Sequence, residues 1–171
     1  VLLPKPHYRN GVELANFYLP TRAPPNNESE NQLNRRAMKY CKDVYLGCLE
    51  ELQQHFIKPS NPNSTLKKVL THAPFQYKVD PKAIPTYARF LQDENREEMY
   101  LSKISRSARS DKYGYNISMI INDMKVLQDN AHAFNPGDEN VEIRIMVDCI
   151  IHYFTYLIIS CLNALLRTNE E

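Results

Sequence analysis

The apolar residues of this chain recur at intervals of three and four over four stretches, which places them on one face of a helix. The pattern predicts helices over residues 33–56, 96–107, 116–134 and 141–167. The face of the third helix carries Met124, Leu127, Ala131 and Phe134. The faces of the other three carry Met38, Cys41, Val44, Tyr45, Cys48, Leu52, His55 and Phe56; then Met99, Leu101 and Ile104; and then Ile145, Cys149, Tyr153, Tyr156, Leu157 and Cys161.

A long connection, from about Ser60 to Asn95, separates the first two predicted helices. Pro74, Pro81 and Pro85 are expected to hold most of it in extended geometry, with one helical turn over residues 65–71. A loop of this length inside a compact domain usually has a function. We therefore expect it to form one wall of a ligand cleft.

The N-terminal segment is rich in proline and asparagine and cannot be a regular helix. It carries too many apolar and aromatic residues for a solvated tail, namely Leu2, Leu3, Tyr8, Val12, Leu14, Phe17, Tyr18 and Leu19. The sequence thus predicts three parts: a packed non-helical arm over residues 1–32, a helical bundle over residues 33–167 and a tail over residues 168–171.

The third predicted helix ends at a polar loop, where Asn135 is followed by Pro136 and Gly137. Pro136 lacks an amide donor and Gly137 permits turn geometry, so the helix stops and leaves the Asn135 carboxamide at its end. A carboxamide in that position can donate to and accept from another amide. The alternative is an ordinary helix C-cap, since asparagine is common just past helix ends.

Two blocks of residues, in this order, resemble the bromodomain family of acetyl-lysine-reading four-helix bundles. The downstream block comprises Asp123, Asn130-Ala131, Phe134-Asn135 and a helix from near Val141. The upstream block comprises Pro74-Phe75, Val79-Asp80 and Pro85-Thr86-Tyr87, similar to the family's long first loop. The resemblance extends roughly from Arg35 to Leu166.

The resemblance implies a left-handed four-helix bundle, with a long loop between its first and second helices, that reads acetyl-lysine without catalysis. Asn135 would donate to the acetyl carbonyl, and Tyr87 would hold an ordered water. The alkyl stem would lie in a sleeve formed by Phe75, Val79, Ile84, Phe134 and Val141. All of these side chains could instead be ordinary packing residues under a long loop.

The resemblance also implies partners and a location. The ligand would be an acetylated histone or another acetylated protein peptide, and the chain would be a monomeric domain of a larger nuclear chromatin protein. Its start at Val1, and not at methionine, fits a piece of a longer chain.

The chain departs from the family pattern at several places, and two of these departures, the altered shelf and the missing signature, support an alternative function. Ala73-Pro74-Phe75 stands where the family usually has Trp-Pro-Phe, the Pro-Met-Asp signature after the tyrosine is absent, and Phe134 replaces a tyrosine. The alternative is a degenerate helical scaffold that contacts a protein partner without binding acetyl-lysine.

Composition narrows the remaining function classes. Lys+Arg 21 against Asp+Glu 20 gives a net charge of +1, so no basic excess indicates direct nucleic-acid binding. The chain lacks a glycine-rich phosphate loop, HExxH and Gly-x-Ser-x-Gly, so no enzyme activity or cofactor is expected.

Cys41, Cys48 and His55 lie at successive intervals of two helical turns, too far apart to share a metal ion. The apolar run over residues 149–166 is interrupted by polar residues, so we expect a core helix and no membrane span.

Deleting residues 1–26 tests whether the arm packs on the bundle. Leaving Leu14, Phe17, Tyr18 and Leu19 in water costs about 25 cal/mol per Å² of apolar surface. We therefore expect the truncated protein to melt at a lower temperature in scanning calorimetry. Unchanged melting, with rapid amide exchange throughout the arm, would identify a free tail instead.

Overall fold

The computed structural model describes residues 30–57, 73–114 and 116–168, and in these ranges it contains six α-helices and no strand. The helices are α1 (Glu30–Ile57), α2 (Ala73–Gln76), α3 (Pro85–Asp93), α4 (Leu101–Arg109), α5 (Ile117–Phe134) and α6 (Val141–Thr168). A short 3₁₀ turn over Asp138–Asn140 joins α5 to α6. The predicted all-α class is confirmed.

The helices α1, α4, α5 and α6 form a four-helix bundle. Helix α1 lies against α4 and α6, and α5 lies against the same two helices. The short helices α2 and α3 belong to the long connection, where α2 contacts α4 and α3 contacts α5. The predicted bundle with a long first connection is therefore confirmed.

Most of the described residues on the predicted apolar faces lie in the core or against it. On α5, Ile120, Met124, Leu127 and Ala131 are all buried, and its first turn is capped by the Asn116 side chain, which accepts from the Ser118 N–H at 3.2 Å. The largest fully buried side chains come from several elements: Tyr45, Leu52, Leu101, Ile104, Tyr113, Ile120, Met124, Ile150, Tyr153, Phe154 and Leu157. The periodicity in the sequence therefore reflects one shared core.

Helix α6 combines a buried face with an exposed one. Cys149, Tyr153, Leu157 and Cys161 are buried as predicted, whereas Tyr156, which was predicted on the same face, is 45% exposed, and Ile159 is 50% exposed. By length and composition alone, the stretch Asp138–Cys161 would be long and apolar enough to cross a membrane, a test that the core helix of a bundle also passes. The buried side chains of α6 belong to the same core as those of α1, α4 and α5, which favours the core-helix interpretation.

The long connection is not as extended as its prolines suggested. Pro85 begins α3, and Pro74 lies in the first turn of α2. Proline suits the first helical turn because its fixed φ is already helical and its missing N–H would have no intrahelical acceptor there. The prolines therefore start helices in this segment, and the predicted extended geometry was wrong at both places.

The predicted second helix is also shifted. It was expected from Arg96 to Ser107, but α4 begins at Leu101 and ends at Arg109. The chain before it is extended, with Tyr100 at φ −157° and ψ 157°. One physical reason is that the Glu97 carbonyl accepts a hydrogen bond from the Asn130 side chain at 2.7 Å, and not from a helical N–H.

The remaining boundaries are close to expectation. Helix α1 begins at Glu30, inside the segment assigned to the arm, and α5 and α6 end within one residue of their predicted limits. Residues 1–29 of the arm, the turn expected at residues 65–71 and residues 169–171 of the tail lie outside the described part of the chain.

Tyr113 ties the turn before α5 to α5 itself. Its hydroxyl donates to Asp123 Oδ2 at 2.6 Å, and its side chain is 2% exposed. Burial, followed by the Asp123 carboxylate, raises the pKa of Tyr113, so the phenol stays protonated at neutral pH.

Replacing Tyr113 with phenylalanine removes this hydrogen bond and keeps the ring. Since hydrogen bonds to charged groups are the stronger class, we expect Tyr113→Phe to lower the free energy of unfolding by roughly 1–3 kcal/mol. Urea denaturation measures the difference. Tyr100→Phe is the matched control, because that hydroxyl accepts from Arg106 on the surface. Equal losses for the two variants would contradict a special role for Tyr113.

Candidate functional site

The Asn135 side chain lies where α5 ends, and it caps the helix. Its backbone N–H donates to the Ala131 carbonyl at 3.2 Å, and its Nδ2 donates to the same oxygen at 2.8 Å. A carboxamide has two N–H donors and one carbonyl acceptor. Among the described residues, the second N–H and Oδ1 have no partner, so capping leaves this half-buried side chain able to bind a ligand amide.

Three aromatic rings pack together beside Asn135. Phe134 meets Tyr87 edge to face with ring centroids 4.9 Å apart, and Phe90 lies 5.1 Å from Phe134 and 5.9 Å from Tyr87. Such pairs each contribute about 0.5–1.5 kcal/mol beyond their buried area. This cluster holds α3 against the end of α5, and it brings the predicted residues Tyr87, Phe134 and Asn135 into one region.

Phe90 was not among the predicted site residues. It lies one helical turn after Tyr87 on α3, and the Arg96 guanidinium is 5.6 Å from the centre of its ring. The spacing of three residues between two aromatic side chains was the available signal. The expectation of extended geometry hid it, because residues three apart share a face only in a helix.

Asn130 is the second residue whose role the sequence did not reveal. Its side chain is buried, at 2% exposure, and Nδ2 donates to the Glu97 carbonyl at 2.7 Å. The same carboxamide is the polar neighbour that acts to lower the pKa of the Tyr87 phenol. Asn130 therefore bonds α5 to Glu97 and lies near Tyr87, at the two ends of the segment between them.

The Tyr87 hydroxyl is protonated at neutral pH. Burial of the phenol and the nearby Glu98 carboxylate raise its pKa, while Arg96 and the Asn130 hydrogen bond act in the opposite direction. The net effect is a raised pKa, so the O–H group remains available as a donor over the physiological range.

The other predicted sleeve residues divide into two groups. Phe75 is 7% exposed and lies in the hydrophobic core, which is the ordinary packing role left open by the sequence. Val79 is half-buried, whereas Ile84 and Val141 are 41% and 43% exposed. Two apolar side chains of the predicted sleeve thus lie open to solvent.

A separate groove of about 490 Å³ runs along the outer side of α5 and α6. It is lined by Gln128, Ile145, Asp148, Cys149, Ile151, His152 and Thr155, and none of the predicted site residues is among them. Asp148 Oδ1 accepts from Gln128 Nε2 at 2.8 Å and lies 2.6 Å from His132 Nε2. The groove is therefore distinct from the region around Asn135.

The cysteines and acidic residues offer no evident metal centre. Within residues 30–57, 73–114 and 116–168, no group of three or more His, Cys, Asp or Glu side chains could hold an ion. Cys48, Cys149 and Cys161 are buried free thiols. Buried thiols of this kind behave as small apolar packing residues.

Comparison with known proteins identifies the family. The Bromodomain family model matches residues 52–145, more than half of the 171-residue chain, and this span includes Tyr87, Phe134 and Asn135. No curated protein and no solved structure matches the chain. From the family match and the helical bundle, we conclude that the chain belongs to the bromodomain family.

Proposed function

We propose that this bromodomain is a non-catalytic reader of acetylated lysine, on histone tails or other acetylated proteins. Its pocket lies between the long connection and the loop after α5. The observation that carries this proposal is the Asn135 carboxamide, which keeps an N–H and a carbonyl without a partner among the described residues and directly follows Phe134, whose ring packs on Tyr87. Members of this family generally read acetyl-lysine.

The ligand chemistry matches these groups. Acetylation removes the lysine charge and leaves an apolar stem that ends in an amide. The free N–H of Asn135 donates to the acetyl carbonyl, and the Tyr87 hydroxyl holds a water that bonds the same oxygen. Phe134, Ile84 and Val141 contact the stem, which covers apolar surface that is partly exposed in the free protein.

Unmodified lysine is a poor ligand for the same site. Its ammonium loses hydration on entry and needs a counter-charge in return. The groups proposed to bind the acetyl end are a carboxamide and a phenol, and both are neutral. The site therefore rejects unmodified lysine because burying its unpaired charge is costly.

Exposed acidic residues lie close to the loop and suit a basic peptide. Asp138, Glu139 and Glu142 are all exposed, just after Asn135 in the chain. Charges at a rim raise the association rate of a basic partner more than the final affinity. We accordingly propose a nuclear chromatin protein as the parent of this domain, which would act as a monomer without direct nucleic-acid contact.

The alternative is a scaffold that contacts a protein partner and has lost acetyl-lysine binding. The smaller Ala73 in place of the usual shelf tryptophan supports it, since a shelf normally forms one wall of the pocket. The two functions differ in a single measurable property, namely whether acetylation of a peptide increases its affinity for the domain.

Asn135→Ala should remove most acetyl-lysine binding while the domain stays folded. Losing a hydrogen bond to a buried amide costs roughly 1–3 kcal/mol, which leaves little affinity in a weak reader. Isothermal titration calorimetry with an acetylated histone peptide, chosen from an array of acetylated and plain peptides, measures the effect.

Asn122→Ala is the matched control for this experiment, because Asn122 is exposed on the same helix. It should bind as wild type does. If Asn135→Ala also keeps the wild-type affinity, or if plain and acetylated peptides bind equally, the reader function is wrong and the scaffold alternative is favoured.

Tyr87→Phe should weaken peptide binding a few-fold. The variant keeps the ring that packs on Phe134 and loses the hydroxyl that would hold the water, a change of about 0.5–1.5 kcal/mol. Tyr100→Phe removes a surface hydroxyl and provides the control. Equal affinity for Tyr87→Phe and wild type would exclude the water-holding role but leave that of Asn135 intact.

A further inference from the structure

Three successive carbonyl groups in the loop after α5 each receive a side-chain donor. The carbonyls belong to Asn135, Pro136 and Gly137, where the chain turns from α5 into α6. The Pro136 oxygen accepts from Asn140 Nδ2 at 2.8 Å. The other two oxygens accept from one side chain on α6, and the Gly137 oxygen also accepts from the Asn140 backbone N–H at 3.3 Å.

That residue is Arg144, in the first turns of α6. Its Nη1 donates to the Asn135 carbonyl at 2.6 Å and to the Gly137 carbonyl at 2.6 Å. One guanidinium nitrogen carries two N–H groups, so it can serve both oxygens at once. Hydrogen bonds from a charged donor are typically shorter and stronger than those from a neutral one, and both of these distances are short.

The backbone of the loop requires such support. Gly137 has φ +88°, in the region that residues with a Cβ rarely adopt, and Pro136 has no N–H to donate. The turn therefore has few backbone hydrogen bonds of its own. The side chains of Arg144 on α6 and Asn140 in the 3₁₀ turn add donors to the loop carbonyls, beside the Asn140 backbone N–H that bonds the Gly137 oxygen.

We infer that Arg144 is a positioning residue for acetyl-lysine binding, which sets the orientation of Asn135 by clamping the backbone on both sides of Pro136. The inference rests on the proposed reader function and extends it to a residue that does not touch the ligand. Asn135 has two anchors, Ala131 on the helix side and Arg144 on the loop side. With both in place, the free N–H of Asn135 keeps one direction before the ligand arrives, so binding does not have to order it.

Arg144→Met removes the hydrogen-bond donors of the side chain and keeps much of its bulk. Methionine keeps an apolar stem of similar length and has no donor, so the Asn135 carbonyl loses its side-chain partner and the Gly137 carbonyl keeps only the Asn140 backbone N–H, 3.3 Å away. We expect the dissociation constant for the acetylated peptide to rise about tenfold, the scale of a charge-assisted hydrogen bond. Arg144→Lys keeps a charged donor within reach of the loop and should recover at least part of the lost affinity.

Two measurements distinguish positioning from general stability. The Asn135 side-chain amide resonances should shift and broaden in free Arg144→Met, with the resonances of other asparagine side chains unchanged, and Arg144→Lys should restore them. Arg109→Met is the charge-matched control, because Arg109 is exposed at the end of α4. It should leave both the resonances and the affinity as in wild type.

Other outcomes overturn the inference. Wild-type affinity in Arg144→Met, or an affinity loss equal to that of Arg109→Met, would show that the clamp has no effect on binding. Failure of Arg144→Met to fold would make Arg144 a general structural residue. Asn135→Ala is measured in the same series: if it binds as wild type does, the reader function itself fails, whatever Arg144 does.

Discussion

Burial of one face of α5 fixes the position of the candidate site. Ile120, Met124, Leu127 and Ala131 are each at most 6% exposed, so any rotation of the helix about its axis would bring apolar surface into water. Asn135 follows Ala131 by four residues, which places the two on the same side of the helix. The core that holds α5 therefore also fixes the side of the helix on which the half-buried Asn135 residue lies.

Polar bonds then hold the second wall of the site to this helix. Asn130, on the buried side of α5, donates to the Glu97 carbonyl and lies near the Tyr87 hydroxyl, and both of these groups belong to the segment between α2 and α4. In a buried setting an unpaired carboxamide costs roughly 1–3 kcal/mol, so the bonds of Asn130 specify one arrangement of that segment. The packing of Tyr87 on Phe134 is a consequence of the same constraint.

Local sequence patterns predicted the features that depend on residues close together in the chain. The apolar periodicity predicted α5 and α6 closely, and Pro136 with Gly137 predicted the end of α5, because each signal lies within the element itself. The start of α4 and the roles of Phe90, Asn130 and Arg144 depend on contacts between distant segments, such as the bond between Asn130 and Glu97. Any residue type can offer its backbone carbonyl to such a side chain. The sequence therefore contains no matching pair of residues that would reveal the contact.

Charged groups of both signs surround the proposed site. The Arg144 guanidinium lies against the Asn135 carbonyl, and Arg96 lies over Phe90 and pairs with Glu94 at 2.6 Å, while Asp138 and Glu139 are exposed on the loop. At the surface, charges act over about one Debye length, roughly 8 Å in physiological salt, whereas interactions in the less hydrated interior are screened less. A basic peptide is therefore attracted by the outer acidic groups whether or not its lysine is acetylated. Under the proposed reader function, a lysine ammonium would lose its hydration beside the neutral groups of Asn135 and Tyr87, whereas an acetylated side chain carries no charge there. Discrimination between the two forms is therefore expected at the depth of Asn135 and not at first contact.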